Sequence, residues 1–509
     1  MRSTRTAVLV PFAVMLGLGL WGLDRGTMWR DESATFQVAR RSVPEIAHLI
    51  SSVDVVHGLY YLLIHFVLAP FPSEVALRLP SVLGAAGSAA LVGATGARLA
   101  RPRVGLWAGL AYAVTPFAGH YAQEGRSYAL VACAAALATL LLSHAAERGA
   151  ARLWAAYAAV AACAALLHMF ALLLLAAHAA TLLLSRVERR VWRGWAAAAG
   201  TVCVALLPLV MMSRGQRGQV GWLAKPDAVA AGRLVLDFTG PRSSIVAVTL
   251  ALTVLALLRP LPGKAPGALT LTAVALPLLV VPPVLLLAVS QWEPLYYDRY
   301  VLFSLAGVPL LAAAGGERLM LELGRALPTA GLPRQLTALA GVVAVAGAFC
   351  WQLPDHERLR RPASRADDFA AIARTADRAM GPGEPVLYLP GISRRIALGY
   401  PGRFEDARDV ALLEPAAPSG TLYGTEADGA ELRRRVAGLH RVWVLIAPPA
   451  TRRAWQPEAP SDRAKLALLQ ERFSRREAHR SDDALLVLYV RRDPKRPGAA
   501  DPHQLTGTG

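Results

Sequence analysis

The sequence predicts a polytopic α-helical membrane protein that carries a small α/β domain near its C-terminus. Of the 509 residues, 54% are hydrophobic and only 18% are charged, and the mean hydropathy is +0.38. Soluble proteins carry about 25% charged residues. The apolar residues fall into blocks of about 20 residues, the length that a helix needs to cross a bilayer. After residue 354 the composition becomes polar, which predicts a separate domain.

Eleven apolar blocks bounded by charged residues are predicted to span the membrane. The N-terminal block lacks a small-x-small cleavage site, so we interpret it as an uncleaved first span and not as a signal peptide. Two of the blocks adjoin at His168 and Met169, where a tight hairpin is expected. The predicted spans are 6–24, 76–97, 103–120, 127–145, 152–168, 169–185, 194–212, 243–259, 268–290, 299–316 and 334–352.

The basic residues predict the orientation of these spans. Lys and Arg are enriched in short cytoplasmic loops, and an N-terminus inside the cell places Arg101, Arg148 and the group at 186–193 in the cytoplasm. Most acidic residues of the membrane part then face outward across the cell membrane. The net charge of +18 therefore reflects loop asymmetry, and we expect no nucleic-acid partner.

Residues 25–75 are expected to form an outer loop with interfacial helices. The stretch SATFQVARRSVPEIAHLI is typical of an amphipathic helix that lies in the membrane surface. The stretch HGLYYLLIHFVLAPF is too short to span and is predicted to be a second helix of this loop.

Residues 355–492 are predicted to form an extracytoplasmic α/β domain. Short apolar runs at 384–390, 442–448 and 484–490 indicate strands, and helix-like stretches at 366–381, 427–440 and 461–476 alternate with them. Eleven spans from an inside N-terminus place this domain outside. Residues 493–509 are expected to be a disordered tail.

Asp31 and Glu32 are candidate catalytic residues because they follow the first span directly. Two carboxylates at the membrane face are costly unless water, a cation or a substrate hydroxyl meets them, and a carboxylate there can accept a proton as a general base. The alternative is structural: Asp31 caps the interfacial helix and Glu32 supports its first turn.

Three further outward-facing segments carry candidate substrate-binding residues, each with a structural alternative such as a helix cap, an ion pair or an interfacial anchor. Arg side chains present a fork of donors suited to a lipid-linked phosphate. All of these segments face the same side, which favours a shared functional site. The residues are Asp54, His57 and Tyr60; then Gln123, Glu124, Arg126 and Tyr128; and Asp298 with Arg299.

The ordered set of WRDE, DVVHGLYYLLIH, RLPS, YAQEGRSYAL and YYDRY resembles the GT-C membrane glycosyltransferases. It is most similar to the branch of protein O-mannosyltransferases and aminoarabinose transferases, called glycosyltransferase family 39 or RgtA/B/C/D-like. The resemblance covers roughly residues 6–310. The chain departs from the pattern at Gly58, where proline is frequent in the family, and this leaves the acceptor subgroup open.

This resemblance implies an inverting glycosyltransferase that uses a polyprenyl-phosphate sugar, a hexose such as mannose, on the outer face of the membrane. It implies a GT-C-like catalytic domain over residues 1–354, Asp31 as general base with Glu32 beside it, and Glu124 as a second acid. Some family members use a divalent metal ion near these carboxylates, so Asp31, Glu32 and Glu124 are the candidate ligands. The acceptor is a glycan, a lipid or a protein.

Two other functions compete with this interpretation. A transporter or lipid flippase would carry charged or helix-breaking residues at mid-membrane, and Pro277, Pro282 and Pro283 are the observation in its favour. A non-catalytic protein that displays its outer domain would not need Asp31 and Glu32 at the membrane face.

Overall fold

The computed structural model describes residues 2–216, 218, 223–261, 267–326, 334–452, 455–481 and 483–492. The predicted tail at 493–509 lies outside these residues. The first half of the described chain contains the α-helices α1 (Arg2–Leu20), α2 (Arg30–Ala39), α3 (Val43–Ser52), α4 (Gly58–Leu68), α5 (Glu74–Leu99), α6 (Pro102–Ala113), α7 (Pro116–Ala122), α8 (Tyr128–Arg148), α9 (Ala151–Leu167), α10 (Leu173–Leu184) and α11 (Arg189–Gly215). The second half contains α12 (Ala228–Thr239), α13 (Ser243–Leu258), α14 (Leu271–Val289), α15 (Gly307–Ala326), α16 (Arg334–Leu359), α17 (Phe369–Ala379), α18 (Arg395–Gly399), α19 (Gly429–Val436) and α20 (Pro460–Arg472).

Short 3₁₀ helices and strands complete the secondary structure. The 3₁₀ helices are Val55–His57, Met169–Leu172, Asp298–Ala306, Pro362–Ser364, Gly391–Arg394 and Pro401–Arg403. The strands are β1 (Pro385–Leu389), β2 (Arg408–Asp409), β3 (Leu412–Glu414), β4 (Thr425–Glu426), β5 (Arg441–Ile446), β6 (Phe473–Ser481) and β7 (Ala484–Arg491).

The chain divides into two compact units. The first, which we call the membrane unit for its predicted spans, comprises the described residues within 1–24, 54–60 and 75–360. The second, which we call the outer unit for its predicted side of the membrane, comprises the described residues within 25–53, 61–74 and 361–509. The outer unit thus combines most of the predicted outer loop with the C-terminal α/β domain.

All eleven predicted spans coincide with helical segments of the membrane unit. Seven described helices are long and apolar enough to cross a membrane, and α12 with α13 forms a further candidate that is bent by 85°. Gly240, with φ of +111°, and Pro241 produce this bend. The predicted third span is divided into α6 and α7 because Pro116 disfavours helical geometry at Thr115. The number of crossings stays a prediction.

Small residues let the helices of the membrane unit approach closely. A Cβ atom on Gly93 of α5 would lie 2.0 Å from the carbonyl oxygen of Ala7 in α1. A Cβ atom on Gly105 of α6 would lie 2.2 Å from the carbonyl oxygen of Gly93. Only glycine fits at both positions, and such contacts are a usual basis of helix association in lipid.

The predicted amphipathic helix of the outer loop is two helices, α2 and α3. Ser42 separates them: its backbone N–H and its hydroxyl both donate to the Glu45 carboxylate, at 2.8 and 2.7 Å, and Pro44 follows it in the first turn of α3. This capping box starts a new helix. The predicted second helix of the loop is α4.

The outer unit contains a five-stranded sheet with the strand order β2-β1-β5-β7-β6, in which β1 runs parallel to β2 and β5. The strands β5, β7 and β6 pair antiparallel. Alternate side chains of β1, β5 and β7 enter two cores, one beneath α19 and α20 and the other beneath α17. The three predicted strands are confirmed as β1, β5 and β7.

One strand of this sheet departs from the prediction. The helix expected over 461–476 ends at Arg472, and the chain continues as β6, an edge strand that pairs only with β7. Its sequence FSRREAHRS is polar because most of its side chains face solvent, and it therefore lacks the apolar run that indicates a strand.

Candidate active site

The loop between α7 and α8 positions Arg126 in the membrane unit. The Gln123 amide donates to the carbonyl oxygens of Gly19 and Trp21, at 2.9 and 2.8 Å, and so joins the loop to the end of α1. The carbonyl oxygen of Arg126 accepts a hydrogen bond of 2.9 Å from the Ser81 hydroxyl. Gln123 thus anchors this loop, and its role in substrate binding stays a prediction.

Arg126 contacts His57. The Arg126 guanidinium meets Nε2 of His57, and Nδ1 of the same ring lies 3.3 Å from the Asp54 carboxylate. Because a guanidinium can only donate, Nε2 accepts and the proton of a neutral imidazole is on Nδ1, facing Asp54. The sequence predicted that Asp54 and His57 share one short segment; the structure brings Arg126 to the same point.

Arg299 lies among aromatic rings at the start of the 3₁₀ helix Asp298–Ala306. The Asp298 carboxylate accepts the backbone N–H of Arg299 at 2.6 Å. The guanidinium carbon of Arg299 lies 4.1 Å from the ring centroid of Tyr297, 5.5 Å from that of Tyr128 and 5.9 Å from that of Tyr300. A cation over the face of an aromatic ring is attracted by the ring's quadrupole, so these rings help to hold Arg299 in place.

His168, between α9 and the 3₁₀ helix Met169–Leu172, belongs to the same site. Its ring lies 4.7 Å from that of Tyr300 and 5.4 Å from that of Tyr128. The charges of Arg126 and Arg299 act on both His57 and His168. We call Arg126 and Arg299, together with the imidazoles of His57 and His168 on which their charges act, the cationic cluster. Both arginines are more than nine-tenths buried, with 6% and 8% of their surface exposed.

The remaining predicted site residues of the membrane unit are Glu124, Tyr60 and Tyr128, which neighbour Arg126 or His57 in the sequence. Glu124 is buried, and its carboxylate lies 3.6 Å from Nε2 of His120. Tyr60 is fully buried on α4. Tyr128 begins α8 and contacts Arg299 through its ring, as described above.

Asp31 and Glu32 lie on α2 in the outer unit. The residue at the N-cap of α2 is Trp29, so Asp31 is the second residue of the helix and not its cap. Asp31 is partly exposed, whereas Glu32 is fully buried. Burial lowers the pKa of the nearby Arg395, and the charges of Tyr423, Asp367 and Asp31 oppose that effect.

Sequence reasoning missed two residues of the membrane unit. His168 ends the fifth predicted span on the side that is predicted to face outward. A polar residue at the outward end of a span was the sequence signal that could have identified it. Asp237 lies near the end of α12, a helix outside the predicted spans, and the charges of Asp298 and Arg233 act on its carboxyl group in opposite directions. Nothing in the sequence of residues 213–242 indicates that α12 packs near α7 and the 3₁₀ helix Asp298–Ala306.

The described residues contain no group of three or more His, Cys, Asp or Glu side chains that is arranged to hold a metal ion. The candidate ligands Asp31, Glu32 and Glu124 therefore do not form a metal-binding group in the described part of the chain. We therefore derive no step of the reaction through a metal.

A family model matches one segment of the chain. Residues 57–212 match the family described as dolichyl-phosphate-mannose-protein mannosyltransferase. This segment contains His57, Glu124, Arg126 and His168. No curated protein sequence matches the chain.

The fold is similar to that of a protein of known structure. ArnT from Cupriavidus metallidurans, in a crystal structure bound to undecaprenyl phosphate, superimposes with a TM-score of 0.59 at 13% identity, over 94% of this chain and 97% of ArnT. Its apo structure gives 0.58 at 14% identity with the same coverage. The predicted GT-C-like fold, and with it the resemblance to the GT-C membrane glycosyltransferases, is confirmed.

Proposed function

We propose that the protein is an integral-membrane glycosyltransferase that moves a sugar from a polyprenyl-phosphate donor to an acceptor hydroxyl on the outer face of the plasma membrane. The observation that carries the proposal is the cationic cluster. Two supports come from the similar proteins: the family model names a dolichyl-phosphate mannose donor, and the ArnT structure contains undecaprenyl phosphate.

A lipid-linked phosphate suits the chemistry of the cationic cluster. The charges of the two buried arginines act on the same two imidazoles, and an anion bound at this point would interact favourably with both guanidinium groups. The guanidinium groups of Arg126 and Arg299 match the geometry of phosphate oxygens. Charge-assisted hydrogen bonds of this type are about twice as strong as neutral ones.

The proposed reaction is a direct displacement at the anomeric carbon. The acceptor hydroxyl forms a bond to this carbon and gives its proton to the Asp31 carboxylate. The bond from the anomeric carbon to the phosphate oxygen breaks, and the electron pair leaves with the phosphate. Arg126 and Arg299 stabilise the negative charge that develops there. A single displacement inverts the anomeric configuration.

The donor sugar is proposed to be a hexose such as mannose, on the strength of the family description for residues 57–212. The acceptor is proposed to be a hydroxyl of a glycan, a lipid or a protein at the cell surface. Glu32 and Glu124 are proposed to support the base and the acceptor. Asp54, His57, Tyr60, Tyr128 and Asp298 are proposed to shape the donor site around the two arginines.

The test replaces the two arginines. Arg126→Ala and Arg299→Ala should each weaken binding of undecaprenyl phosphate by about 10- to 100-fold, because a hydrogen bond to a charged group contributes about 1.5–3 kcal/mol. Arg299→Lys should recover only part of this loss, since a bidentate fork becomes a point charge. The measurement is lipid binding to purified protein in nanodiscs, together with sugar release from polyprenyl-phosphate mannose in membranes.

Arg193→Ala is the matched control, because Arg193 is exposed on α11 away from the cluster. Wild-type lipid binding in both cluster variants would refute the phosphate site. Movement of labelled lipid across the bilayer without turnover of any lipid-linked sugar would favour the transporter.

A further inference from the structure

The helix that carries Asp31 and Glu32 is capped by a residue from the C-terminal domain. Trp29, at the N-cap of α2, makes no side-chain cap. Instead the Asp367 carboxylate accepts the backbone N–H of Arg30, the first residue of α2, at 3.1 Å. A carboxylate at this end of a helix satisfies an otherwise unbonded N–H and interacts favourably with the helix dipole.

The same carboxylate also holds the Arg30 side chain. Nε of Arg30 donates to one oxygen of Asp367 and Nη2 donates to the other, both at 3.0 Å. This is the bidentate geometry that fixes orientation as well as distance. The Asp367 side chain is 7% exposed and the Arg30 side chain is 42% exposed, so the carboxylate is buried while the guanidinium stays in contact with solvent.

The segment before α2 is held in the same way. The backbone N–H of Met28 donates to the Tyr400 hydroxyl at 3.0 Å, and that hydroxyl donates to Glu74 at 2.8 Å. The backbone N–H of Ala370 donates to the Thr27 hydroxyl at 2.9 Å. The chain therefore enters α2 along a path set by residues of the C-terminal domain.

The following turns of α2 contact the C-terminal domain as well. The Ser33 hydroxyl donates to the carbonyl oxygen of Arg395 at 2.6 Å. A Cβ atom on Gly399 of α18 would lie only 2.6 Å from the Ser33 hydroxyl oxygen, so α18 packs directly on α2. Farther along, the Gln37 amide donates to the carbonyl oxygen of Leu422 at 2.8 Å.

We propose that the C-terminal domain is part of the catalytic apparatus: Asp367 is a positioning residue that sets the start of α2 and thereby the place of the Asp31 carboxylate. This inference rests on the proposed function, in which Asp31 is the base. Asp31 follows Arg30 directly, so a shift or fraying of the first turn moves its carboxylate. A displacement of about 1 Å in a catalytic group can cost about 10²-fold in rate.

The first test separates kcat from KM. Asp367→Ala removes the cap and the fork, and we expect kcat to fall about 10- to 100-fold while KM for polyprenyl-phosphate mannose stays unchanged. Asp367→Asn keeps one acceptor for the Arg30 N–H, and its kcat should lie between those of Asp367→Ala and the parent. Asp377→Ala is the matched control, because Asp377 forms an exposed ion pair with Arg403 in the same domain.

A purely structural role would give a different result. It would lower the melting temperature and the amount of active protein in Asp367→Ala, and the kcat of the surviving fraction would match the parent. Parental kcat per folded molecule in Asp367→Ala would overturn the inference.

The second test is a double-mutant cycle with Asp31→Asn. If Asp367 acts through Asp31, Asp367→Ala should change the residual rate of the Asp31→Asn protein less than two-fold, because effects of groups that act together are not additive. A full 10- to 100-fold loss in that background would overturn the inference. Parental activity of Asp31→Asn alone would instead refute the base, so the two failures are distinguishable.

A third measurement needs no sugar. Amide hydrogen exchange of the full chain should report faster exchange at residues 31–34 in Asp367→Ala than in the parent or in Asp377→Ala. Unchanged protection of this turn would show that Asp367 does not hold α2 and would overturn the inference.

Discussion

At the scale of single residues, the proposed chemistry divides between a base and an anion site. Asp31 is the second residue of a helix whose first N–H is capped by Asp367, so the capping role that competed with catalysis falls to Asp367. Arg126 and Arg299 are buried with two imidazoles beside them. Asp31 can take a proton, and each arginine presents a fork of donors. A single substitution can remove either property.

The base is tested by Asp31→Asn. Asn keeps the size and the hydrogen-bonding capacity of Asp but cannot take a proton at neutral pH, so the rate of sugar transfer should fall about 10²–10⁴-fold. The melting temperature should stay within a few degrees of the parent because Asp31 is not the helix cap. The assay follows polyprenyl-phosphate mannose and melting in parallel. Activity within a few-fold of the parent would move the base to Glu32 or Glu124.

At the scale of helices and strands, close backbone contact is as important as apolar surface. The helices α1, α5 and α6 approach at Gly93 and Gly105 so closely that a methyl group would overlap a carbonyl oxygen. In the outer unit, the carboxylate of Glu426 on β4 contacts two cations, Lys465 and Arg394, at 2.9 and 2.8 Å. The glycine contacts predict that the membrane unit is sensitive to added side-chain volume. The ion pairs of Glu426 predict that the outer unit is sensitive to loss of charge.

Gly93→Ala should destabilise the membrane unit. The added Cβ atom would lie 2.0 Å from a backbone oxygen of α1, so the helices must separate, and overpacking of this kind costs about 1–3 kcal/mol. Thermal unfolding in detergent is the measurement. Gly17→Ala, in α1, is the control because no atom lies within 4 Å of its added Cβ. Equal melting temperatures for the two variants would contradict this packing.

The stability of the outer unit should fall in acid partly through Glu426. Burial raises the pKa of Glu426, but Lys465 and Arg394 outweigh burial and hold it below its ordinary value. A carboxyl with a lowered pKa stabilises the fold above its unfolded-state pKa, and that stabilisation disappears as the pH falls through the folded-state value. Hydrogen-exchange protection of β1 and β5 should therefore drop between about pH 5 and about pH 3. In Glu426→Gln this contribution should be missing at both pH values; an acid response as steep as the parent's would assign it to other carboxylates.

At the scale of the whole molecule, the charge pattern predicts which side each segment faces. Tags at the N-terminus and in the loop at 186–193 should be inaccessible from outside the cell. Tags within 25–75 and 355–492 should be accessible, because an odd number of spans from an inside N-terminus places the C-terminal domain outside. Labelling of intact cells with a membrane-impermeant reagent tests both statements, with permeabilised cells as the control. A protected C-terminal domain would contradict the predicted count of eleven.

The sequence alone determined the apolar helices, the strands β1, β5 and β7, and the segments that carry the candidate site. Each of these is a local property. A helix in lipid and a strand inside a sheet must bury a contiguous apolar run, and a cluster of polar residues at the end of such a run is visible in the chain itself. The polar edge strand β6 and the helix α12 lack that signal, and the sequence did not reveal them.

Only the tertiary structure decided which of these residues meet. Arg126 contacts His57 across 69 positions of the chain, and Arg30 is held by Asp367 across 337. Neither partner is marked by its neighbours in sequence, because a contact between two side chains requires only that both end at the same place. The packing of the helices in the membrane unit places the cationic cluster, and the fold of the outer unit places the cap on the helix that carries Asp31.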